Sequence, residues 1–276
     1  MSDSKIVRDF YNKMLDYDEF WFADRILYDQ IHEVLLKNLP RRANIVLDVG
    51  CGTGIQSDLI LRRGFEVVGV DIAGNLLRIA SEKTKGKLAC VEASGTHLPF
   101  VSSSFEMVIC FYNVINHIPE YPLALKEIVR VLSTDGLLFL EIEKTSLIDT
   151  FLEVIDFLLH GRLGYFEEKR NIIRHILVRD NHQTITWVEE GMTLSCWKFC
   201  PRKLEQELRQ LGMRVVRKYG IRVFVSLVPW ELQIINSRFI RAVMNLLNVI
   251  DKKISHGTFF KEHGLSTVYL LRKCPG

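Results

Sequence analysis

A chain of 276 residues with 48% apolar and 25% charged content can bury a full core, which excludes a disordered or fibrous protein and predicts one large or slightly elaborated domain. No stretch reaches the ~20 apolar residues that cross a bilayer, and residues 1–5 are polar without a signal-peptide apolar segment, so the expected location is the cytoplasm. The net charge of +3 hides an asymmetry: residues 1–160 hold 16 Lys and Arg against 23 Asp and Glu, a balance of −7, and residues 161–276 hold 20 against 10, a balance of +10. A second half so basic favours an anionic partner by its local field, with Arg170, Arg174 and Arg179 in one segment and Arg214, Arg217, Lys218 and Arg222 in another; a solvated basic face is the plainer reading. The six cysteines read as free thiols, because Cys196 and Cys200 have no second cysteine or histidine pair to complete a zinc site, and no metal is expected.

In chain order, the aromatic-rich residues 6–39 predict two helices, and a buried strand at 45–49 then breaks into the turn Gly50-Cys51-Gly52-Thr53-Gly54 ahead of an amphipathic helix over 55–63. Strands at 66–70, 87–92, 107–111 and 137–143, with a helix over 74–83 and others between, predict a parallel, doubly wound α/β sheet. Residues 146–200 lie outside that scheme: a helix to about His160, then 171–179 and 183–188 alternating as a hairpin around Asp180-Asn181. Residues 201–211 have Pro at a helix start and Gly212 just past its end. Strands at 213–223 and 266–272 enclose an insertion, 224–262, whose helix after Pro229 sets Leu232, Ile235, Phe239, Val243, Leu246 and Ile250 at three- and four-residue steps.

The glycine turn carries the chemistry. Glycines at alternate positions let the main chain turn tightly and press against a ligand, where a ligand-free turn would rarely need all three. A dinucleotide fingerprint needs its third glycine where Ile55 stands, and Asp48 would repel a pyrophosphate but suits an ammonium or sulfonium. Asp71, seventeen residues after Gly54, ends the second strand where a carboxylate accepts hydrogen bonds from both ribose hydroxyls, or caps the helix that begins at Gly74. These features predict a nucleoside ligand without phosphates.

From about residue 43 to residue 144 the chain resembles the class I methyltransferases dependent on S-adenosylmethionine, in the group that acts on small molecules. The resemblance rests on the loop and Asp71, on Val91-Glu92-Ala93 with Leu98-Pro99-Phe100, on Phe105-Glu106-Met107-Val108-Ile109-Cys110 with Asn116-His117-Ile118, and on Val131 to Leu140 around Gly136. It implies a Rossmann-like, doubly wound seven-stranded sheet of order 3-2-1-4-5-7-6, with a helical cap at 1–42, a cofactor core at 43–145, a lid at 146–200, and the sheet's end with its insertion at 201–276. It implies S-adenosyl-L-methionine held by Asp48, Gly50, Cys51, Gly52, Gly54, Asp71, Ile72, Glu92, Ala93 and Phe111, with Tyr11 or Tyr17 of the cap reaching the cofactor carboxylate. Glu92 departs from the aspartate more usual against the adenine amino group.

Methyl transfer asks the protein mainly to orient its reactants, so no covalent residue is required. His117 is the candidate base if the acceptor must lose a proton, with Asn113 and Asn116 as polar neighbours; capping the next helix is its other reading, and His175 and His182 are further candidates. The expected acceptor is a small molecule, anionic or lipophilic. RNA is a less favoured acceptor, because Phe111 to His117 lacks the Asn or Asp, Pro, Pro, aromatic motif that resembles base-amino methyltransferases. A non-catalytic partner protein is the remaining alternative, opposed by the intact Asp48 loop and Asp71. The helix of 224–262 is expected to pack over the lid, and Arg238, Arg241, Lys252 and Lys253 beside its stripe also suit dimerisation or peripheral membrane contact.

Overall fold

The computed structural model describes residues 3–13, 22–41, 45–144, 154–156, 158, 182–189, 192–228, 230–233, 237–254, 257, 261 and 263–275. Its strands are β1 (Ile45–Val49), β2 (Glu66–Asp71), β3 (Ala89–Glu92), β4 (Phe105–Cys110), β5 (Leu132–Glu143), β6 (Gln183–Glu189), β7 (Met192–Lys198), β8 (Met213–Ile221) and β9 (Ser266–Lys273). Seven form one sheet in the order β3-β2-β1-β4-β5-β9-β8, and β6 and β7 pair separately. With that hairpin set aside, the order is the 3-2-1-4-5-7-6 that the sequence implies. Strands β1 to β5 run parallel, and β9 is antiparallel to both of its neighbours.

Parallel strands covered on both faces need apolar side chains in both alternating sets, and β1 supplies them. Leu47 and Val49 face one layer with Val108, Leu138 and Leu140, packed on α5 (Tyr121–Val131) and α6 (Pro201–Gln210). Val46 faces the other with Met107, Ile109 and Phe139, packed on α2 (Phe22–Asn38), α3 (Ile55–Leu61) and α4 (Gly74–Lys83). Strand β1 lies between β2 and β4, so the connections leave it in opposite directions and open a crevice at the carboxyl ends of the strands.

One expected bound is corrected: strand β5 begins at Leu132, not 137, because Leu132 pairs with Phe105 across an irregularity in β4. Strand β6 pairs with β7, with Gln183 opposite Lys198 and Glu189 opposite Met192. Residues 171–179, expected to pair with it, lie outside the described residues, as do most of the helix placed up to His160. The insertion 224–262 forms α7 (Trp230–Gln233) and α8 (Arg238–Ile254). Helix α8 packs on α2, burying Met244 with Ile240 and Leu247 against Ile26, Val225 and Val228, and most of the lid it was expected to cover lies outside the described residues. Polar groups fix this choice. Gln30 of α2 donates to Asn248 at 2.8 Å and to Asp251 at 3.2 Å, and accepts from the Arg222 N–H at 2.7 Å, while Asp251 accepts from the Phe224 N–H at 2.7 Å. A fully buried carboxylate is tolerable only with such partners, and α2 and the 222–225 turn supply them.

Candidate active site

The chain leaves β1 at Gly50, whose φ of +72° is left-handed; a Cβ there would lie 2.3 Å from Val114 Cγ2, so the turn presses directly on the segment after β4. Gly52 differs. At φ +52° a Cβ there would have no protein atom within 4 Å, so its main chain faces open space. Its N–H donates to Asp71 Oδ2 at 2.9 Å, and the Ala73 N–H donates to Asp71 Oδ1 at 2.9 Å. Both carboxylate oxygens are thus anchored and each keeps a lone pair for a further donor. Burial pushes the Asp71 carboxyl above its usual range, opposed by the N–H groups of Ala73, Gly52 and Ile72.

Across the crevice, Tyr112 and Asn113 both have left-handed φ, 59° and 60°. Asn tolerates this; a tyrosine held there is strained by roughly 1–2 kcal/mol. The restraint is Glu141 of β5, 1% exposed, which accepts the Asn113 N–H at 2.7 Å and is also approached by the Tyr112 main-chain N–H. Burial pushes the Glu141 carboxyl up to about 7 against the pull of those donors. The strained turn holds the Tyr112 ring against Tyr28 of α2, stacked at 3.9 Å, with its hydroxyl 2.9 Å from His32 Nε2.

Helix α1 (Asp3–Lys13) closes the mouth. Asn12 and Asn75, at the start of α4, exchange two hydrogen bonds, with the Asn75 N–H donating to Asn12 Oδ1 at 3.0 Å and Asn75 Nδ2 to the Asn12 carbonyl at 2.8 Å. Phe10, 1% exposed, packs on Leu194 and Cys196 of β7. His117 ends a single helical turn, Val114–His117, with Nδ1 3.1 Å from Cys196 Sγ and the Tyr11 ring edge-on at 6.0 Å. Burial lowers the imidazole to about 4 and raises the Cys196 thiol to about 12, so both are neutral at pH 7.

These walls enclose a cavity of about 940 Å³, open to solvent. Of the expected contacts, Tyr11, Gly50, Cys51, Gly52, Asp71, Ile72, Ala93 and His117 line it. Four do not. Asp48 is fully buried beneath the loop, accepting from Ser57 Oγ at 2.5 Å, and burial pushes its carboxyl up to about 7. Gly54 caps α3 and packs on Ala80 and Leu88. Glu92 is exposed and turned over Gly74, where a Cβ would lie 2.6 Å from its Oε2. Phe111 is fully buried on Phe139, and its neighbour Tyr112 lines the cavity instead. Asn116 is a buried clasp, donating to the carbonyls of Glu143 at 2.9 Å and Trp197 at 2.6 Å. His182 holds the hairpin to α6 through the Cys200 N–H at 3.0 Å and Glu207 at 3.3 Å. Tyr17 and His175 lie outside the described residues.

Sequence reasoning missed Tyr28 and Tyr112 as lining residues, and also Gly69, where a Cβ would lie 2.7 Å from Cys51 Sγ. A glycine inside a strand was an available signal of close approach. Of the two basic segments, Arg170, Arg174 and Arg179 lie outside the described residues, and the other does not gather at the cavity. Lys218 pairs with Glu205 at 2.5 Å, Arg222 is buried against Gln233 at 2.6 Å, and no Lys or Arg lines the cavity among the described residues. Those residues also hold no cluster of potential metal ligands and no helix long and apolar enough to cross a membrane.

Two predictions belong to this geometry. Asp71→Ala should weaken binding of the cofactor and of its demethylated product by roughly 1.5–3 kcal/mol, the loss of charge-assisted bonds, and unchanged titration calorimetry would remove Asp71 from the ribose site. Asp48 and Glu141 hold their protons more tightly folded than unfolded, so the stability they contribute is present at low pH and lost as pH rises through about 7. His117, lowered to about 4, acts oppositely, losing stability as pH falls from 6.5. Asp71 is pushed the same way as these carboxyls, and His32 and His182 the same way as His117, so Glu141 is isolated by difference: relative to Glu141→Gln, the cofactor-free parent should lose melting temperature as pH rises from about 5 to about 7 and then level off. A difference that does not change with pH would refute the assignment.

Residues 47–140 match the family model described as "Methyltransferase domain". An uncharacterized protein of Methanocaldococcus jannaschii is 25% identical over 91% of this chain and 92% of its own length. The demethylmenaquinone methyltransferase of Staphylococcus carnosus is 31% identical over 48% of this chain and 58% of its own length. Among solved structures, the 1,6-didemethyltoxoflavin-N1-methyltransferase of Burkholderia thailandensis, with bound 1,6-didemethyltoxoflavin and S-adenosylhomocysteine, superposes with a TM-score of 0.57 over 99% of this chain and 89% of that one. At 14% identity that likeness is one of fold. The open main chain at Gly52 and the anchored oxygens of Asp71 fit an adenosyl group. That match makes residues 47–140 a methyltransferase domain by sequence, set within a sheet of the same fold as the solved methyltransferase.

Proposed function

We propose that the protein transfers a methyl group from S-adenosylmethionine to an uncharged small molecule with an aromatic or otherwise apolar body. The carrying observation is the acceptor side of the cavity. Val7, Tyr11, Tyr28, Tyr112, Ile118 and Pro119 line it with His117, and no cation joins them among the described residues. None of these described residues would pair with an anionic acceptor's charge, whereas a planar apolar one gains area against the stacked tyrosines. The relative from Staphylococcus named for demethylmenaquinone and the Burkholderia enzyme with bound 1,6-didemethyltoxoflavin support this acceptor class.

When bound, the cofactor supplies an electrophilic methyl group on a positively charged sulfur. The chain's part is to seat the nucleoside on Gly52 and Asp71, to exclude water with α1 and Tyr112, and to hold the acceptor in line. His117, neutral and in the acceptor wall, is the group placed to take the acceptor's proton as the new bond forms. The test is transfer of labelled methyl into three extracts: lipids and quinols, polar anionic metabolites, and total RNA. Label is expected in the first, and label confined to either of the others overturns this reading.

A further inference from the structure

Helix α8 buries one face against α2 and leaves the opposite face in solvent. Phe239 is 74% exposed, Leu246 62% and Val249 49%, and at spacings of seven and three residues they share one stripe with Ala242 and Lys253. Seventeen residues make the helix about 25 Å long, enough for an apolar strip larger than the scattered exposed side chains of an ordinary surface. The exposed charge on α8 itself has one sign. Arg238, Arg241 and Lys253 are exposed on α8, and the helix's single acid, Asp251, is fully buried. Lys252 is turned away from the strip to Asp29 at 2.6 Å and Glu33 at 3.1 Å.

We propose that this face of α8 docks the protein flat on an anionic lipid surface, with Phe239, Leu246 and Val249 at the headgroup and acyl boundary and Arg238 and Lys253 at lipid phosphates. An amphipathic helix with cations beside its apolar face binds in this way, combining buried area with attraction to anionic headgroups. A second copy of the chain fits worse. Two-fold pairing of α8 with itself brings Arg238 and Arg241 of one helix toward Lys253 of the other, with no acid on the face to offset them. The docking does not depend on which acceptor the cavity takes.

The test is sedimentation of the full-length protein with vesicles of phosphatidylcholine alone and of phosphatidylcholine with phosphatidylglycerol, two to one. Binding to the mixed vesicles should exceed binding to the neutral ones by roughly tenfold or more and fall as salt is raised. Phe239→Ser with Leu246→Ser should remove that binding at unchanged melting temperature and cofactor affinity, and Arg238→Glu with Lys253→Glu should remove the preference for anionic lipid. Equal binding to both vesicles, or none, overturns the proposal. So does a dimer in sedimentation velocity that the serine variant dissolves while vesicles bind neither protein.

Discussion

Replacing His117 by alanine is expected to lower kcat by roughly 10²- to 10⁴-fold, the range of a lost general base, while cofactor affinity stays within about a factor of two. In the proposed roles His117, beside Tyr11 and Cys196, meets the acceptor while Gly52 and Asp71 hold the nucleoside, so the two effects should separate. The pH profile gives a second readout. An imidazole near 4 is unprotonated across the neutral range, so the rate should be flat above about pH 5.5 unless the acceptor itself titrates. Cys196→Ala removes the 3.1 Å contact at Nδ1 without removing the ring and should have the smaller effect. Full activity of the His117 variant at every pH would make the residue a packing element beside Tyr11.

The second large effect is one of stability. Glu141→Ala should cost about 4 kcal/mol, because it opens a buried space, strands the Asn113 N–H, and releases the carboxylate that holds two consecutive left-handed residues. For a chain of this size that corresponds to a fall in melting temperature of roughly 10 °C. The loss should reach function through Tyr112, whose stacking on Tyr28 depends on that turn, so the acceptor's KM should rise in whatever fraction stays folded. Glu141→Gln retains an acceptor for the Asn113 N–H and should cost much less. Equal melting of the alanine variant and the parent would refute the role.

The core sheet was readable in the sequence because its strands are apolar on both faces and its loop glycines have no cheaper use. The insertions were harder. For β6 the sequence reading placed the turn at Asp180-Asn181, before the strand, whereas the two-residue spacing seen in the β6–β7 pair lies after it, between Glu189 and Met192. For α8 the apolar stripe at 239, 243, 246 and 250 lies partly in solvent, and the buried face is rotated to 240, 244, 247 and 251. Apolar periodicity has no means of anticipating that Asp251 is drawn inward by Gln30, more than two hundred residues away in sequence. The role of Tyr112 was equally hidden. A left-handed tyrosine has no local signature, and its cause, Glu141, lies on another strand.

Helix α1 links two halves of the site that turnover must treat in opposite ways. Its Asn12 end is fastened to α4 beside the nucleoside seat, and its Phe10 face is fastened to the hairpin beside the acceptor wall. Any motion that lifts it to let a spent nucleoside leave also dismantles the roof over the acceptor. In the proposed seating, one eleven-residue helix thus couples the two pockets, and freeing its Asn12 end for nucleoside exchange would also loosen its Phe10 contact with the hairpin.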